Sequence, residues 1–142
     1  MINIDGDGSF LMSSQEMATC VENGLAVKTV IINNGGYGMV RQWQEIIYSG
    51  RFSACNFSPT PDFVKLAEAY GAVGIRAAKP SEVVPALEKM LATPGPVVMD
   101  VWVDKEECVF PMVPAGGANK DMILEKPGKA VKEKAAKAQT GF

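Results

Sequence analysis

Two short polar turns, one βαβ unit apart, constrain this chain most. The first, Gly6-Asp7-Gly8-Ser9, follows the extended segment Ile2–Asp5. The second, Asn33-Asn34-Gly35-Gly36, follows the β-branched run Lys28–Asn33, with 24 residues between Gly8 and Asn33. About 30 residues make one βαβ unit, so the spacing puts both turns at the same edge of a parallel sheet. Ligands of open α/β sheets bind beyond that edge, at the carboxyl ends of the strands.

The rest of the chain keeps the same alternation. Ser13 with Glu16 fits a capping box, which predicts a helix from about Ser14 to Asn23, closed by Gly24. Gly35-Gly36-Tyr37-Gly38 reads as a loop, and Met39 to about Tyr48 has helical periodicity. Thr60-Pro61-Asp62 reads as a helix start with proline at the first position, and Gly71 closes that helix. Val73–Ala77 is a strand candidate. Ser81 to about Ala92 reads as a helix that needs Pro85 in its first turn. Pro94-Gly95-Pro96 is a turn before the apolar strand Val97–Val103. The order β-α-β-α-α-β-α-β implies a parallel sheet flanked by helices on both faces, a Rossmann-like α/β fold.

Composition excludes several functions. A chain of 142 residues, 47% apolar and 21% charged, has enough material for one packed domain. Its net charge of −2 gives no basic surface for nucleic acid. The longest apolar runs are far too short to span a bilayer, and the first residues do not form a signal peptide. There is no histidine, so Ser-His-Asp and Cys-His catalysis are absent from these residues. Cys20, Cys55 and Cys108 are odd in number and widely spaced, which fits free thiols of a reducing, cytoplasmic compartment.

The two turns carry donors suited to a hard cation. Magnesium takes six oxygens at about 2.1 Å, usually few of them from protein. Asp7 offers a carboxylate oxygen, Asn34 an amide oxygen and Gly36 a backbone carbonyl. Gly6 and Gly8 let the backbone approach phosphate groups, and Ser9 adds donors. A calcium-loop reading of residues 3–14 fails, because its twelfth position is Ser14 where a bidentate Glu is required. The residues by themselves leave open two unrelated glycine turns. Met39 and Trp43 share a helix face at i and i+4, which is equally the pattern of a core stripe.

Gly6-Asp7-Gly8-Ser9-Phe10-Leu11-Met12, Asn33-Asn34 and Gly38-Met39-Val40-Arg41-Gln42-Trp43-Gln44 resemble the catalytic (large) subunit of the acetolactate synthase family. So do residues 61–71 and Pro111-Met112-Val113-Pro114, and the resemblance runs from residue 1 to about 124. It implies a thiamine-diphosphate-binding domain over residues 1–116, incomplete at its N-terminal side, followed by a mobile tail over 117–142. It implies Mg2+ held by Asp7, Asn34 and Gly36, with Gly6, Gly8, Ser9 and Met39 near the cofactor. Val40 and Trp43 would border the pocket for the second 2-oxoacid.

The implied activity is decarboxylative condensation of pyruvate with pyruvate or 2-oxobutyrate, for branched-chain amino-acid synthesis. The family's catalytic glutamate lies in a pyrimidine-binding domain outside these residues, so no catalytic residue is expected here. Most of the FAD site of the family is likewise elsewhere. Homo-oligomers and a regulatory small subunit are typical of the family. An uncovered first edge of the sheet also favours self-association. Other readings are a pyruvate oxidase, a 2-oxoacid decarboxylase, a glyoxylate carboligase, or the diphosphate-binding subunit of a split enzyme. Residues 125–142, with five lysines and two glutamates among alanines, read as a solvated tail.

Overall fold

The computed structural model of the chain describes residues 1–126. Of the expected tail over 117–142, residues 127–142 lie outside the described residues. The chain divides into two compact units, residues 1–36 with 57–105, and residues 37–56 with those from 106 onward.

The first unit is built on β1 (Ile2–Gly6), β2 (Lys28–Asn33), β3 (Val73–Ala77) and β4 (Val97–Trp102). They form one sheet of order β1-β2-β4-β3, and every neighbouring pair is parallel. β4 thus inserts between β2 and β3, and β1 is an edge strand. The helices are α1 (Asp7–Ser13), α2 (Glu16–Glu22), α4 (Phe63–Ala69) and α5 (Pro80–Ala92), while α3 (Gly38–Ile46) belongs to the second unit.

Alternation along the strands divides the core in two. Ile31 and Val98 point to one face, where Phe10, Met17, Phe63 and Ala67 of α1, α2 and α4 cover them. The Phe10 and Phe63 rings meet edge to face at 5.8 Å. Val30, Val97, Met99 and Ile75 point to the other face, under Ala86 and Met90 of α5. Both faces carry helices, as the alternating pattern requires. Gly74 brings α4 close to β3: a Cβ there would meet the Val64 carbonyl oxygen at 2.7 Å.

Lys28 is buried, and its ammonium donates to the Thr93 and Gly95 carbonyls at 2.5 and 2.6 Å. These carbonyls lie at and just past the C-terminal end of α5, where a cation is favoured.

Three helix boundaries differ from the sequence reading. One helix was expected from about Ser14, capped by Ser13. Instead α1 starts at Asp7, directly after the strand, and α2 follows from Glu16. Extended Gly6 (φ −89°, ψ 161°) starts α1, and the break between the helices lets both Phe10 and Met17 reach the same core. Asp62, not Pro61, begins α4: its carboxylate accepts from the Lys65 N–H at 3.3 Å and also binds Arg76 at 2.6 Å. Pro80 occupies the first turn of α5, which puts Pro85 in its second turn, where proline forgoes one helical hydrogen bond. Ala86 and Met90, buried beyond Pro85, hold the helix on the sheet. Gly24 (φ +61°) and Gly71 (φ +85°) do close their helices in the left-handed conformation.

In the second unit α3 turns three residues inward: Gln42, Glu45 and Ile46 are buried. Met112 and Ile123 pair in an antiparallel bridge.

Candidate thiamine diphosphate and metal site

The carboxyl ends of β1 and β2 bring Asp7 and the turn 33–36 together. The Gly36 N–H donates to Asp7 Oδ2 at 2.9 Å and to Asn34 Oδ1 at 3.3 Å. Asp7 Oδ1 accepts from the Gly8 N–H at 2.9 Å. Asp7, Asn34 and Gly36, the three residues singled out for oxygen donors, are therefore neighbours. Asp7 is only 2% exposed. Burial pushes its carboxyl up, and the N–H groups of Gly8, Gly36 and Gly35 pull it part of the way back. Among the described residues no lysine or arginine pairs with it.

A buried carboxylate with amide donors but no counter-charge is costly as it stands. A bound cation would remove that cost, so this donor set fits a hard divalent ion. The Ser9 hydroxyl turns back, hydrogen-bonded to Asp5 and to the Gly6 carbonyl at 3.2 Å.

Sequence reasoning passed over the brace behind this turn. Asn33 is 5% exposed; its Nδ2 donates to Asp100 Oδ1 at 2.8 Å, and its Oδ1 accepts from the Gly35 N–H at 3.0 Å. Asp100, fully buried, also accepts from Arg76 Nε at 3.0 Å and Trp102 Nε1 at 3.1 Å. Arg76 lies 5.3 Å from the Trp102 ring centroid and reaches Asp62. A lone aspartate inside the apolar run 97–103 was the available signal, since a buried charge requires partners. Beside the brace, a cleft of about 160 Å3 is lined by Asn33, Asn34, Gly35, Thr60, Trp102, Val103 and Lys105.

Met39, Val40 and Trp43 stand on α3 in the second unit, each about half exposed. Met39 and Trp43 line a cavity of about 280 Å3 with Ile47, Tyr48 and the segment 112–115. Val40 lies off this wall. Two glutamines of α3 organise the surroundings. Gln44 pairs with Ser53 through both its N–H and its oxygen, each at 2.9 Å. Gln42 does the same with Val109, at 2.9 and 2.7 Å. Glu45, 8% exposed, pairs with Arg41 at 3.1 Å and Lys126 at 2.8 Å. Burial and Glu45 push the Cys108 thiol up.

A parallel sheet with this pair of turns at its carboxyl edge defines a class of cofactor-binding domain. The family model for the thiamine pyrophosphate enzyme, C-terminal TPP binding domain, matches residues 1–101, and the chain belongs to that family. Within it, the chain is 43% identical over 138 residues to acetolactate synthase 1, chloroplastic, of Oryza sativa subsp. japonica, covering 92% of this chain and 21% of that protein. It is 44% identical over 128 residues to the acetolactate synthase large subunit of Haemophilus influenzae, covering 89% and 22%. It is 46% identical over 124 residues to an acetolactate synthase of Mycobacterium bovis, covering 84% and 20%. The chain thus spans about a fifth of the length of these relatives.

Among solved structures, benzoylformate decarboxylase from Polynucleobacter necessarius superposes with a TM-score of 0.67 at 30% identity, over 74% of this chain and 20% of that one. The thiamine diphosphate-dependent 4-hydroxybenzoylformate decarboxylase of Rhodococcus jostii RHA1 gives 0.66 at 29%, over 75% and 20%. Among the described residues, no helix is long and apolar enough to cross a membrane.

Proposed function

We propose that this chain is the diphosphate-binding part of an acetolactate synthase, and that Asp7, Asn34 and the Gly36 carbonyl hold the Mg2+ that anchors thiamine diphosphate. The observation that carries the reading is the shared Gly36 N–H, which ties the Asp7 carboxylate to the Asn34 amide. Thiamine diphosphate, when bound, supplies the carbon nucleophile that a 2-oxoacid needs to lose carbon dioxide and join a second 2-oxoacid.

This chain's residues bind and orient. Asp7 brings the negative charge that selects a cation. Asn34 and Gly36 add neutral oxygens. Gly6, Gly8 and Ser9 would lie against the diphosphate, with the glycine backbone allowing its approach. Met39 would stand near the cofactor ring. Trp43, with Val40 nearby, borders the site of the second oxoacid, pyruvate or 2-oxobutyrate. In the family this reading implies, the glutamate that hydrogen-bonds the aminopyrimidine ring and most of the FAD site lie in other domains. Homo-oligomers and a regulatory subunit fit the same reading. The three unpaired cysteines favour a reducing compartment, the cytoplasm; the rice relative carries the word chloroplastic in its name.

Calorimetric titration of thiamine diphosphate, with and without Mg2+, tests the site. Magnesium-dependent heat in the wild type, lost in Asp7→Ala, is expected. Equal heat in both proteins would remove Asp7 from the metal. A decarboxylase is the second reading, favoured by the two structural neighbours. The higher identity to the synthases favours the first. Products from pyruvate decide: acetolactate for the synthase, acetaldehyde for the decarboxylase.

A further inference from the structure

We infer that Gln42 is a positioning residue that sets the width of the α3 cavity and thereby its selectivity between small 2-oxoacids. The inference rests on the proposed reading of that cavity as the second-substrate pocket.

Gln42 is 2% exposed, and its carboxamide is spent on one residue of the facing segment. Nε2 donates to the Val109 carbonyl at 2.9 Å, and Oε1 accepts from the Val109 N–H at 2.7 Å. The side chain thus replaces a strand partner for Val109. Its Nε2 also lies 3.3 Å from Met112 Sδ.

Met112 begins the 112–115 wall of the cavity, and Trp43, next to Gln42 in sequence, stands on the helix wall with Met39. The Met112 backbone is held in turn by Ile123, with N···O distances of 2.9 and 2.8 Å. One buried side chain therefore ties the helix bearing Trp43 to the segment bearing Met112. Three bonds of fixed length set the gap. Selectivity for one methylene depends on such a gap, since a close-packed wall penalises a change of a few tenths of an ångström.

Gln44 supplies an internal control. It makes the same double pairing with Ser53, which is not on the cavity wall. Losing either glutamine removes the same chemistry from the same helix, and of the two Gln42 alone reaches the segment that carries the Met112 wall.

The experiment uses the holoenzyme, loaded with thiamine diphosphate and Mg2+. The ratio of kcat/KM for 2-oxobutyrate over pyruvate as second substrate is measured for wild type, Gln42→Leu, Gln42→Glu and Gln44→Leu. Fluorescence of wild type and Trp43→Phe, titrated with 2-oxobutyrate, reports whether the ligand reaches Trp43.

Gln42→Leu leaves the Val109 groups unpaired. Gln42→Glu keeps the bond to the Val109 N–H but sets a carboxylate against its carbonyl, and it is read if the leucine variant fails to fold. The expected result is a ratio shifted about fivefold or more in the Gln42 variants, within the roughly 10–200-fold discrimination one methylene provides, and unchanged in Gln44→Leu. A Trp43 signal in the wild type with ratios unchanged, or changed alike at both glutamines, overturns the role of Gln42. Absence of any Trp43-dependent signal overturns the pocket reading itself, and this inference with it.

Discussion

Asp100→Asn tests the brace behind the metal-site turn. The substitution keeps shape and volume and removes one charge. In the folded chain Asp100 accepts three hydrogen bonds, from Asn33, Arg76 and Trp102, and none of its surface reaches solvent. An asparagine there retains one acceptor oxygen and turns an NH2 group toward a donor, so at least one bond becomes a repulsive contact. Breaking a buried charge pair costs about 3–5 kcal/mol, and hydrogen bonds to charged groups are worth about 1.5–3 kcal/mol each. Arg76 softens the loss, because its side chain is 34% exposed and still reaches Asp62 at 2.6 Å. The expected destabilisation is therefore about 2–4 kcal/mol.

Urea unfolding without cofactor or metal measures it, since bound ligands would mask the change. With an m-value of about 2 kcal/mol/M, mid-range for urea, the midpoint falls by about 1–2 M. Arg76→Gln supplies the cycle: its stacking on Trp102 is lost in both backgrounds, so the coupling isolates the Asp100 pair. A loss below about 1 kcal/mol, or strict additivity of the two substitutions, would refute the argument that this network carries a buried charge.

Other outcomes follow from the same geometry. Asn33→Ala removes the tie between Asp100 and the Gly35 N–H, and is expected to weaken Mg2+-dependent binding of thiamine diphosphate about tenfold or more, by analogy with residues that orient metal ligands; calorimetry of the folded variant checks it. Gly74→Ala places a methyl 2.7–2.8 Å from the Val64 backbone and side chain, an overpacking cost of about 1–3 kcal/mol, whereas Gly6→Ala, whose nearest neighbour is the Ser9 hydroxyl at 3.4 Å, is expected to perturb the packing far less in the same unfolding assay. Burial pushes the Asp62 carboxyl up, but the Lys65 N–H, the hydrogen bond and charge of Arg76 and the charge of Lys65 together outweigh it, so its folded value lies below the ordinary one. Its contribution is present above the ordinary carboxylate range and is lost as pH falls through the depressed value. Asp62→Asn should flatten that acid limb, seen in thermal unfolding from pH 6 downward.

Local chemistry made much of the fold legible. Lys28–Asn33 is a strand over the expected residues because its β-branched run ends at asparagine, and Val73–Ala77 is a strand over its expected residues too. Gly24 and Gly71 stop helices because they take the left-handed conformation at low cost. The meeting of Asp7 with Asn34 was legible from one βαβ spacing. The start of α1 at Asp7 was not: Ser13 and Glu16 make a plausible local cap, and the need to bury Phe10 beside Phe63 overrides it. Pro85 in the second turn of α5 shows the same override, with packing of Ala86 and Met90 outweighing a lost hydrogen bond.

The supports of the site lie beyond local pattern. Asn33 and Asp100 are 67 residues apart, as are Gln42 and Val109. Asn33 meets Asp100 only because β4 inserts between β2 and β3 with Ile31 opposite Asp100 and Asn33 opposite Trp102. A slip of one residue would send these side chains to the opposite face of the sheet. Periodicity, glycine and proline determine where each strand and helix can form, since those preferences act over a few residues. Strand order, register and the partners of a buried charge come from chain segments that are distant in sequence, and the closing of the whole core decides them.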